Sequence, residues 1–274
     1  MSPIVNVMPS AAPKSISAVI LAAGKGTRMK SDLPKVVHPV GGRPMLCAVV
    51  DACLASGVTR VVAVVGYKQE KVREALASYG SKVEYVVQEE QLGTGHAVQC
   101  AASAFARQSS EDGHEVLVLC GDGPLIRPAT IKKMFERQRA TAGTAATLAT
   151  AVIDDPQGYG RIARDAQGRF QAIVEQKNAT PEQLKIKEVN PSYYLYDAKR
   201  LFEALRDVKR NGLTGEYYLT DTLELLLKNG KRVEVIEAVP PEDILSINTL
   251  EDLAKVDSIY RSRAGSTGSK GGAS

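Results

Sequence analysis

Hydrophobic positions along the chain alternate between short continuous runs and helical spacing. The segments 17–22, 60–65 and 116–120 are almost entirely apolar, which is typical of central strands in a sheet covered on both faces. Between the first two, residues 45–56 carry apolar side chains at i, i+3, i+4, i+7 and i+8, the spacing of an amphipathic helix. This alternation of strands and helices predicts an α/β fold with a doubly wound parallel sheet.

The alternation continues to about residue 144 and then changes. Before that point we also predict a strand at 83–87 and helices at 69–79, 95–107 and 128–140. Beyond it, strand-like segments follow one another with few helices between them, at 145–151, 161–164, 170–175 and 193–196. We therefore predict a mostly parallel central sheet with helices on both faces and a smaller antiparallel extension that covers the substrate. The remaining predicted elements are helices at 198–207 and 219–228, a strand at 233–237 and a closing helix at 250–261.

Composition excludes some classes of protein but does not identify a function. The chain has 274 residues, 44% of them apolar, and a formal net charge of +4, which is too mild to indicate a nucleic-acid partner. It has no apolar run of 18 residues, so we expect no membrane span. The four cysteines lack Cys-x-x-Cys spacing, which favours free thiols in a reducing compartment and a cytoplasmic location. We predict a flexible tail at 1–16, one domain at 17–262 and a disordered Gly/Ser-rich tail at 263–274.

A glycine-rich loop follows the first predicted strand. Gly24 and Gly26 allow the backbone to approach a ligand closely, and Lys25, Arg28 and Lys35 add cations suited to a polyphosphate. The dinucleotide-binding fingerprint requires a third glycine that this loop lacks, which disfavours an NAD-linked enzyme. A basic surface turn remains the alternative interpretation of the loop taken alone, and the role of Lys25 stays open.

The longer string Leu21-Ala-Ala-Gly-Lys-Gly-Thr-Arg-Met29, with Leu33-Pro-Lys35, resembles the signature of sugar-nucleotide pyrophosphorylases. Further segments match one subfamily in the same order: 88–97, 121–125, 158–162, 173–175, 215–221 and 247–248. That subfamily is the uridylyltransferase domain of the bifunctional N-acetylglucosamine-1-phosphate uridylyltransferase/glucosamine-1-phosphate acetyltransferase. The resemblance covers residues 17–262 and implies a Rossmann-like nucleotidyltransferase fold. No hexapeptide β-helix repeat is present, so we expect neither acetyl transfer nor β-helix trimerisation, and the oligomeric state stays open.

The resemblance implies a reaction in which a sugar-1-phosphate oxygen attacks the α-phosphorus of UTP and pyrophosphate leaves. A phosphate nucleophile is already ionised, so the reaction needs positioning and charge stabilisation rather than a catalytic base. The implied catalytic residues are Arg28 for the leaving pyrophosphate, Lys35 for the phosphates and Asp122. Asp122 and Asn248 are implied as the protein ligands of Mg²⁺, which typically takes one or two protein oxygens and completes its shell with phosphate and water.

The resemblance also implies the substrate-binding residues. The uridine side comprises Leu21, Ala22, Ala23, Gly24, Gln88, Gly93 and Thr94, and the Gln88 amide can pair with the uracil imide. Cys120 and Gly121 precede Asp122 at the end of a strand, and Gly160, Glu175 and Asn190 match sugar-binding positions. We expect His96, next to these positions, to be structural.

The chain departs from the family pattern at two places. Pro191-Ser192 follows Asn190 where relatives usually carry Thr or Ser and then Gly, and Cys120 and Gly123 replace a usual Tyr and Val. We predict formation of UDP-N-acetylglucosamine and pyrophosphate from UTP and N-acetylglucosamine-1-phosphate. Pro191-Ser192 leaves open another sugar-1-phosphate, dTTP remains an alternative nucleotide, and a non-catalytic nucleotide-sugar-binding paralogue is the alternative of a different class.

Overall fold

The structure of the protein, a computed structural model, describes residues 16–110 and 113–268. Most of the two predicted tails, at 1–15 and 269–274, therefore lies outside the described residues. The described residues that fall within the predicted tails form regular secondary structure. Ile16 begins the first strand, and residues 263–268 belong to the last helix, which ends at Gly268. Among these described residues, no helix combines the length and the apolar character needed to cross a membrane.

Eleven strands and seven α-helices are formed by the described residues. The strands are β1 Ile16–Ala22, β2 Pro39–Val40, β3 Arg43–Pro44, β4 Arg60–Val65, β5 Val83–Val87, β6 Glu115–Cys120, β7 Thr144–Val152, β8 Gly160–Arg164, β9 Phe170–Val174, β10 Glu188–Asp197 and β11 Arg232–Glu237. The helices are α1 Met45–Ala55, α2 Gln69–Leu76, α3 Thr94–Cys100, α4 Pro128–Ala140, α5 Ala198–Asp207, α6 Asp221–Lys228 and α7 Leu250–Gly268.

The main sheet has the order β11-β7-β10-β6-β1-β4-β5. Strands β6, β1, β4 and β5 pair in parallel, and so do β7 and β11. Strand β10 runs antiparallel between β6 and β7 and also pairs with the antiparallel β8–β9 hairpin. The predicted mostly parallel sheet with a small antiparallel extension is confirmed.

Helices pack on both faces of this sheet because successive side chains of each strand point to opposite sides. On β1, Ala18 and Ile20 contact a core cluster that includes residues of α1, α2 and α4. Val19 contacts the opposite cluster, which includes residues of α3, α5 and α6. The doubly wound arrangement predicted from the apolar runs is therefore confirmed.

Several element boundaries differ from the predictions. Helix α2 ends at Leu76 and α3 at Cys100, and each continues as a 3-10 helix rather than as the predicted α-helix. Helix α6 begins at Asp221 rather than at 219, and the Leu219 amide just before it donates a hydrogen bond to Thr94 Oγ1 (3.1 Å).

Strand β10 is more than twice as long as predicted. It spans Glu188–Asp197, with an irregularity between Val189 and Tyr193. Pro191 lies inside this bulge, where a missing amide donor is tolerated. Ser192 follows with a φ of 67°, a left-handed conformation that non-glycine residues rarely adopt. The proline concealed the first half of the strand from the sequence pattern.

Candidate functional site

A cleft of about 550 Å³ opens at the carboxyl ends of β1 and β6, where open α/β sheets bind their ligands. Most of the predicted site residues line it, namely Leu21, Ala22, Ala23, Gly24, Arg28, Lys35, Gln88, Gly93, Thr94, Cys120, Asp122 and Glu175. A second, wider groove of about 910 Å³ lies between β9, α6 and β11 and contains none of them. The remaining four predicted residues, Gly121, Gly160, Asn190 and Asn248, border the cleft without lining it.

The glycine-rich loop packs directly against the first carbons of the Lys35 side chain. Gly26 has a φ of +69°, and a Cβ added there would stand 2.6 Å from Lys35 Cβ. Only glycine therefore fits this position without moving the lysine. Beyond Gly26, a 3-10 turn at Thr27–Met29 buries Met29 and leaves Arg28 exposed at the mouth of the cleft.

Two cationic side chains and two side-chain oxygens from distant segments of the chain converge at that mouth. The Lys35 ammonium donates a short hydrogen bond to Asp122 Oδ2 and a second one, of 3.1 Å, to Asn248 Oδ1. The Arg28 guanidinium donates to the same Asn248 oxygen at 2.8 Å. The Ile247 amide donates to the Asp122 carbonyl at 3.0 Å, which fixes the two oxygen-bearing segments relative to each other.

The donor chemistry of Asp122 and Asn248 fits a divalent metal. A carboxylate and an amide oxygen are hard ligands, and the Lys35 ammonium already bridges them, so the position accommodates positive charge. In the described ranges, no three His, Cys, Asp or Glu side chains are grouped to hold a metal ion. A metal held by Asp122 and Asn248 would depend on substrate oxygens and water for the rest of its shell, which is the usual habit of Mg²⁺.

Gln88 presents an oriented amide to the same cleft. Gln88 is 3% exposed, and its Nε2 donates to the Gly93 carbonyl (3.2 Å) and to His96 Nδ1 (3.0 Å). His96 therefore accepts at Nδ1 and carries its proton on Nε2, which faces Cys100 Sγ at 3.7 Å. These contacts leave the Gln88 amide oxygen available to a ligand, and His96 acts through Gln88, in agreement with the structural role expected for it.

The loop that carries Gly93 and Thr94 is braced by residues 215–219. Gly93 has a φ of +100°, and a Cβ there would meet the Tyr217 carbonyl oxygen at 2.6 Å. The Tyr217 amide donates to the Leu92 carbonyl, and the Gly95 amide donates to the Tyr217 carbonyl, both at 2.8 Å. The motif at 215–221 thus shapes the wall of the cleft.

Glu175 supplies a further carboxylate to the same cleft. Its Oε1 accepts a hydrogen bond from Thr220 Oγ1 at 3.1 Å. Burial raises the pKa of Glu175, and the nearby Asp221 and Glu216 carboxylates raise it further, while the Thr220 hydrogen bond opposes the shift. Gly160 lies close by, since a Cβ added to it would be 3.7 Å from Glu175 Oε2.

Asn190 lies behind the wall of the cleft rather than in it. It is 5% exposed, its Nδ2 donates to the Tyr194 hydroxyl (2.6 Å), and its Oδ1 accepts from the Ser192 amide (2.9 Å). Ser192 and Tyr194 line the cleft in front of it. The Asn190 amide would have to exchange these partners to contact a sugar, so its binding role stays a prediction.

The segment 120–123 forms the floor beside Asp122. Cys120 lines the cleft, and burial, helped by the Asp122 charge, raises the pKa of its thiol to about 12, so it is a neutral packing group. A Cβ at Gly121 would stand 2.8 Å from Leu46 Cδ1, so Gly121 serves close packing behind the floor. Gly123 has open space around it, with Tyr193 at 3.8 Å.

Lys25, whose role was left open, points away from this constellation. Its ammonium lies 5.3 Å from the centre of the Tyr67 ring, and Lys25 does not line the cleft. The wall also contains residues that were not predicted: Val36, Gln91, Ala97, Val118, Leu119, Ser192, Tyr194, Glu216, Tyr218, Leu219 and Thr220. Four of them belong to the segment 215–221, which matches the family pattern, so the resemblance was the feature of the sequence that could have identified them.

Comparison with known proteins decides the family. The model of the MobA-like NTP transferase domain matches residues 18–223. The chain belongs to this family. Within it, the chain is 45% identical over 246 residues to the bifunctional protein GlmU of Exiguobacterium sibiricum, a match that covers 90% of this chain and 53% of that protein.

Other GlmU relatives agree with this placement. The protein of Desulfotalea psychrophila is 42% identical over 248 residues, which covers 90% of this chain and 71% of that relative. The protein of a Geobacillus species is 46% identical over 246 residues, with 52% of its length covered. The predicted resemblance is confirmed, although the chain spans only about half the length of most of these relatives.

A solved structure supports the fold. The crystal structure of UDP-glucose pyrophosphorylase complexed with UDP-glucose superposes with a TM-score of 0.72 at 20% identity, covering 91% of this chain and 99% of that one. This likeness confirms the Rossmann-like nucleotidyltransferase fold of the family.

Proposed function

We propose that the protein transfers a uridylyl group from UTP to N-acetylglucosamine-1-phosphate, giving UDP-N-acetylglucosamine and pyrophosphate. The observation that carries this proposal is the convergence of Arg28, Lys35, Asp122 and Asn248 at one end of a cleft. Gln88 presents an oriented amide elsewhere in the same cleft. The first end suits phosphates and the amide suits a pyrimidine edge.

The geometry supports phosphoryl-group chemistry without a catalytic base. Arg28 is exposed at the mouth, where its guanidinium can bind the β- and γ-phosphates and stabilise charge on the leaving pyrophosphate. Lys35 is 17% exposed and can bridge the α-phosphate and the incoming sugar phosphate. Holding two anions together in line is the main energetic task in such a reaction, and these two side chains perform it.

We propose that a divalent metal, Mg²⁺ in the cell, is held by Asp122 and Asn248. When bound, it would neutralise phosphate charge at the reacting α-phosphorus. Lys35 contacts both oxygen donors in the present arrangement, so its ammonium would shift toward the substrate phosphates when the metal is present. We propose UTP and a sugar 1-phosphate as the small-molecule substrates of this site. Separately, the four free cysteines support a cytoplasmic location.

One observation favours a second candidate, a pyrophosphorylase for another sugar-1-phosphate. Asn190, the residue expected to contact the acetamide, is buried and satisfied by Tyr194 and Ser192. Glu175, which suits sugar hydroxyls, lines the cleft without such an obstruction. A sugar without an acetamide group needs no rearrangement of Asn190.

Pyrophosphate release measured across a panel of sugar 1-phosphates, with UTP and dTTP, tests both candidates. We expect turnover with UTP and N-acetylglucosamine-1-phosphate that requires added metal and nearly disappears in Asp122→Ala, with circular dichroism confirming that the variant is folded. Turnover with glucose-1-phosphate alone would select the second candidate. No turnover with any pair, despite nucleotide-sugar binding, would identify a non-catalytic paralogue.

A further inference from the structure

Arg161 is a fully buried cation outside the catalytic constellation. It lies on β8 and is 2% exposed. Its guanidinium donates a short hydrogen bond to the Tyr159 carbonyl, a second of 2.9 Å to Gln176 Oε1 and a third of 3.4 Å to the Leu184 carbonyl. All three acceptors are uncharged.

A buried arginine without a carboxylate partner is costly. Within residues 16–110 and 113–268, no Asp or Glu makes an ion pair with Arg161. Burial lowers the pKa of its guanidinium, and the Asp155 charge opposes this shift without forming an ion pair; arginine stays charged because its ordinary pKa lies far above neutrality. Since such a charge is normally paired, the gain from Arg161 must come from what its three acceptors hold in place.

The acceptors surround the segment that carries Glu175. Gln176 directly follows Glu175, and its Oε1 accepts from Arg161 Nη2 and also from the Gly158 amide at 3.1 Å. Arg161 pairs with Val174 across the β8–β9 ladder. The residue before Glu175 is thus held by the backbone ladder opposite Arg161, and the residue after it is held by the Arg161 side chain together with the Gly158 amide.

The other neighbours of Glu175 leave its direction less constrained. Thr220 donates a single hydrogen bond to Oε1, while Asp221 and Glu216 oppose its ionisation. β9 ends at Val174, so Glu175 itself lies beyond the ladder. The Asn178 amide donates to the Glu175 carbonyl at 2.9 Å, which holds the backbone of Glu175 but not its carboxylate. Without the Gln176 contact, we expect the carboxylate to turn away from its acidic neighbours and from the cleft.

We propose that Arg161 is a positioning residue that sets the Glu175 carboxylate for the sugar through Gln176. The role of Glu175 in sugar binding rests on the function proposed above. Arginine suits this position because its planar fork reaches several acceptors at once. Lysine, with one ammonium, cannot reproduce the three contacts.

The experiment compares Arg161→Lys, Arg161→Met and the milder Gln176→Leu with the control Arg164→Met. Arg164 lies on the same strand, but its guanidinium pairs with Glu188 near the surface. We expect the first three variants to raise the KM for the sugar 1-phosphate about 10- to 100-fold while the KM for UTP stays within about twofold, since small misplacements cost that much. Arg164→Met should change neither constant.

Hydrogen–deuterium exchange of peptides covering residues 174–180 gives a readout independent of turnover. Exchange should rise in Gln176→Leu and in the Arg161 variants but not in Arg164→Met. Unchanged exchange, or equal increases in both KM values, would overturn the positioning role. If the Arg161 variants fail to fold, Gln176→Leu decides the question. If the wild type turns over no sugar phosphate, the proposed function fails and exchange still tests whether Arg161 orders the segment.

Discussion

The close approach of Gly26 to Lys35 can be tested by adding one methyl group. In Gly26→Ala the new Cβ would stand 2.6 Å from Lys35 Cβ and 3.4 Å from its Cα. Neither atom can rotate away, because both belong to the root of the lysine. Either the loop or Lys35 must shift, and if Lys35 shifts, its ammonium loses its contacts with Asp122 and Asn248.

The structure also supplies a matched control. Gly230 has a φ of +67°, nearly that of Gly26, but no atom lies within 4 Å of the position that a Cβ would occupy there. Alanine at either position adopts a left-handed conformation at a cost of about 1–2 kcal/mol. Only Gly26→Ala adds an overlap, worth about 1–3 kcal/mol. The difference corresponds to about 2–12 °C in melting temperature for a domain of this size.

Thermal unfolding and pyrophosphate release should separate the two effects. We expect Gly230→Ala to retain wild-type turnover, and Gly26→Ala to melt lower than Gly230→Ala and to lose about 100-fold in kcat through displacement of Lys35. The reasoning is refuted if the two variants melt together and turn over alike. A Gly26→Ala enzyme that is unstable but fully active would show that the loop moves and Lys35 does not.

Three further outcomes follow from the charges and strain described. Burial raises the pKa of Glu175, so its ionisation lowers the stability of the fold as pH rises through that pKa. Glu175→Gln should therefore melt at a higher temperature than the wild type at pH 8 but not at pH 4, and its KM for the sugar phosphate should rise about 10-fold or more. Ser192→Gly removes a residue held at φ 67° and should raise the free energy of unfolding by about 0.5–1 kcal/mol in urea titrations, where a decrease would contradict strain at this position. Asp243 is fully buried and pairs with Arg127 and Arg263; Asp243→Asn should cost about 2–4 kcal/mol in the same titrations, less than a wholly buried pair because both arginines are partly exposed.

Local patterns predicted the sheet and the phosphate end of the cleft for identifiable reasons. The apolar runs at β1, β4 and β6 require burial on both faces, which fixes the doubly wound arrangement. Parallel strands then bring their carboxyl ends to one edge, so the loop after β1 and Asp122 after β6 had to meet. Only the family resemblance predicted that Asn248 belongs to the same site, because no periodicity links Lys35 to a residue 213 positions away.

The sugar end could not be predicted in the same way. Pro191 interrupts the apolar pattern of β10, and the side chains in front of Asn190 are set by the bulge that follows. The apolar spacing predicts a helical Leu219, but this residue lies before the helix and its amide donates a hydrogen bond to Thr94 Oγ1. In both cases a tertiary hydrogen bond or a backbone irregularity, rather than a local propensity, decides which side chain faces the cleft.

Under the proposed function, the charged side chains that line the cleft orient the sugar 1-phosphate. Arg28 and Lys35 line the cleft together with Glu175 and Glu216, and the two cations share Asn248 Oδ1 as an acceptor. A sugar 1-phosphate bound in reverse would place its phosphate beside Glu175, whose ionisation is already disfavoured by burial and by neighbouring carboxylates. Since like charges brought together cost several kcal/mol, we expect the phosphate to face the cations and the neutral hydroxyls to face Glu175. We therefore expect Glu175, whose ionisation lowers stability, also to select the direction from which the phosphate attacks.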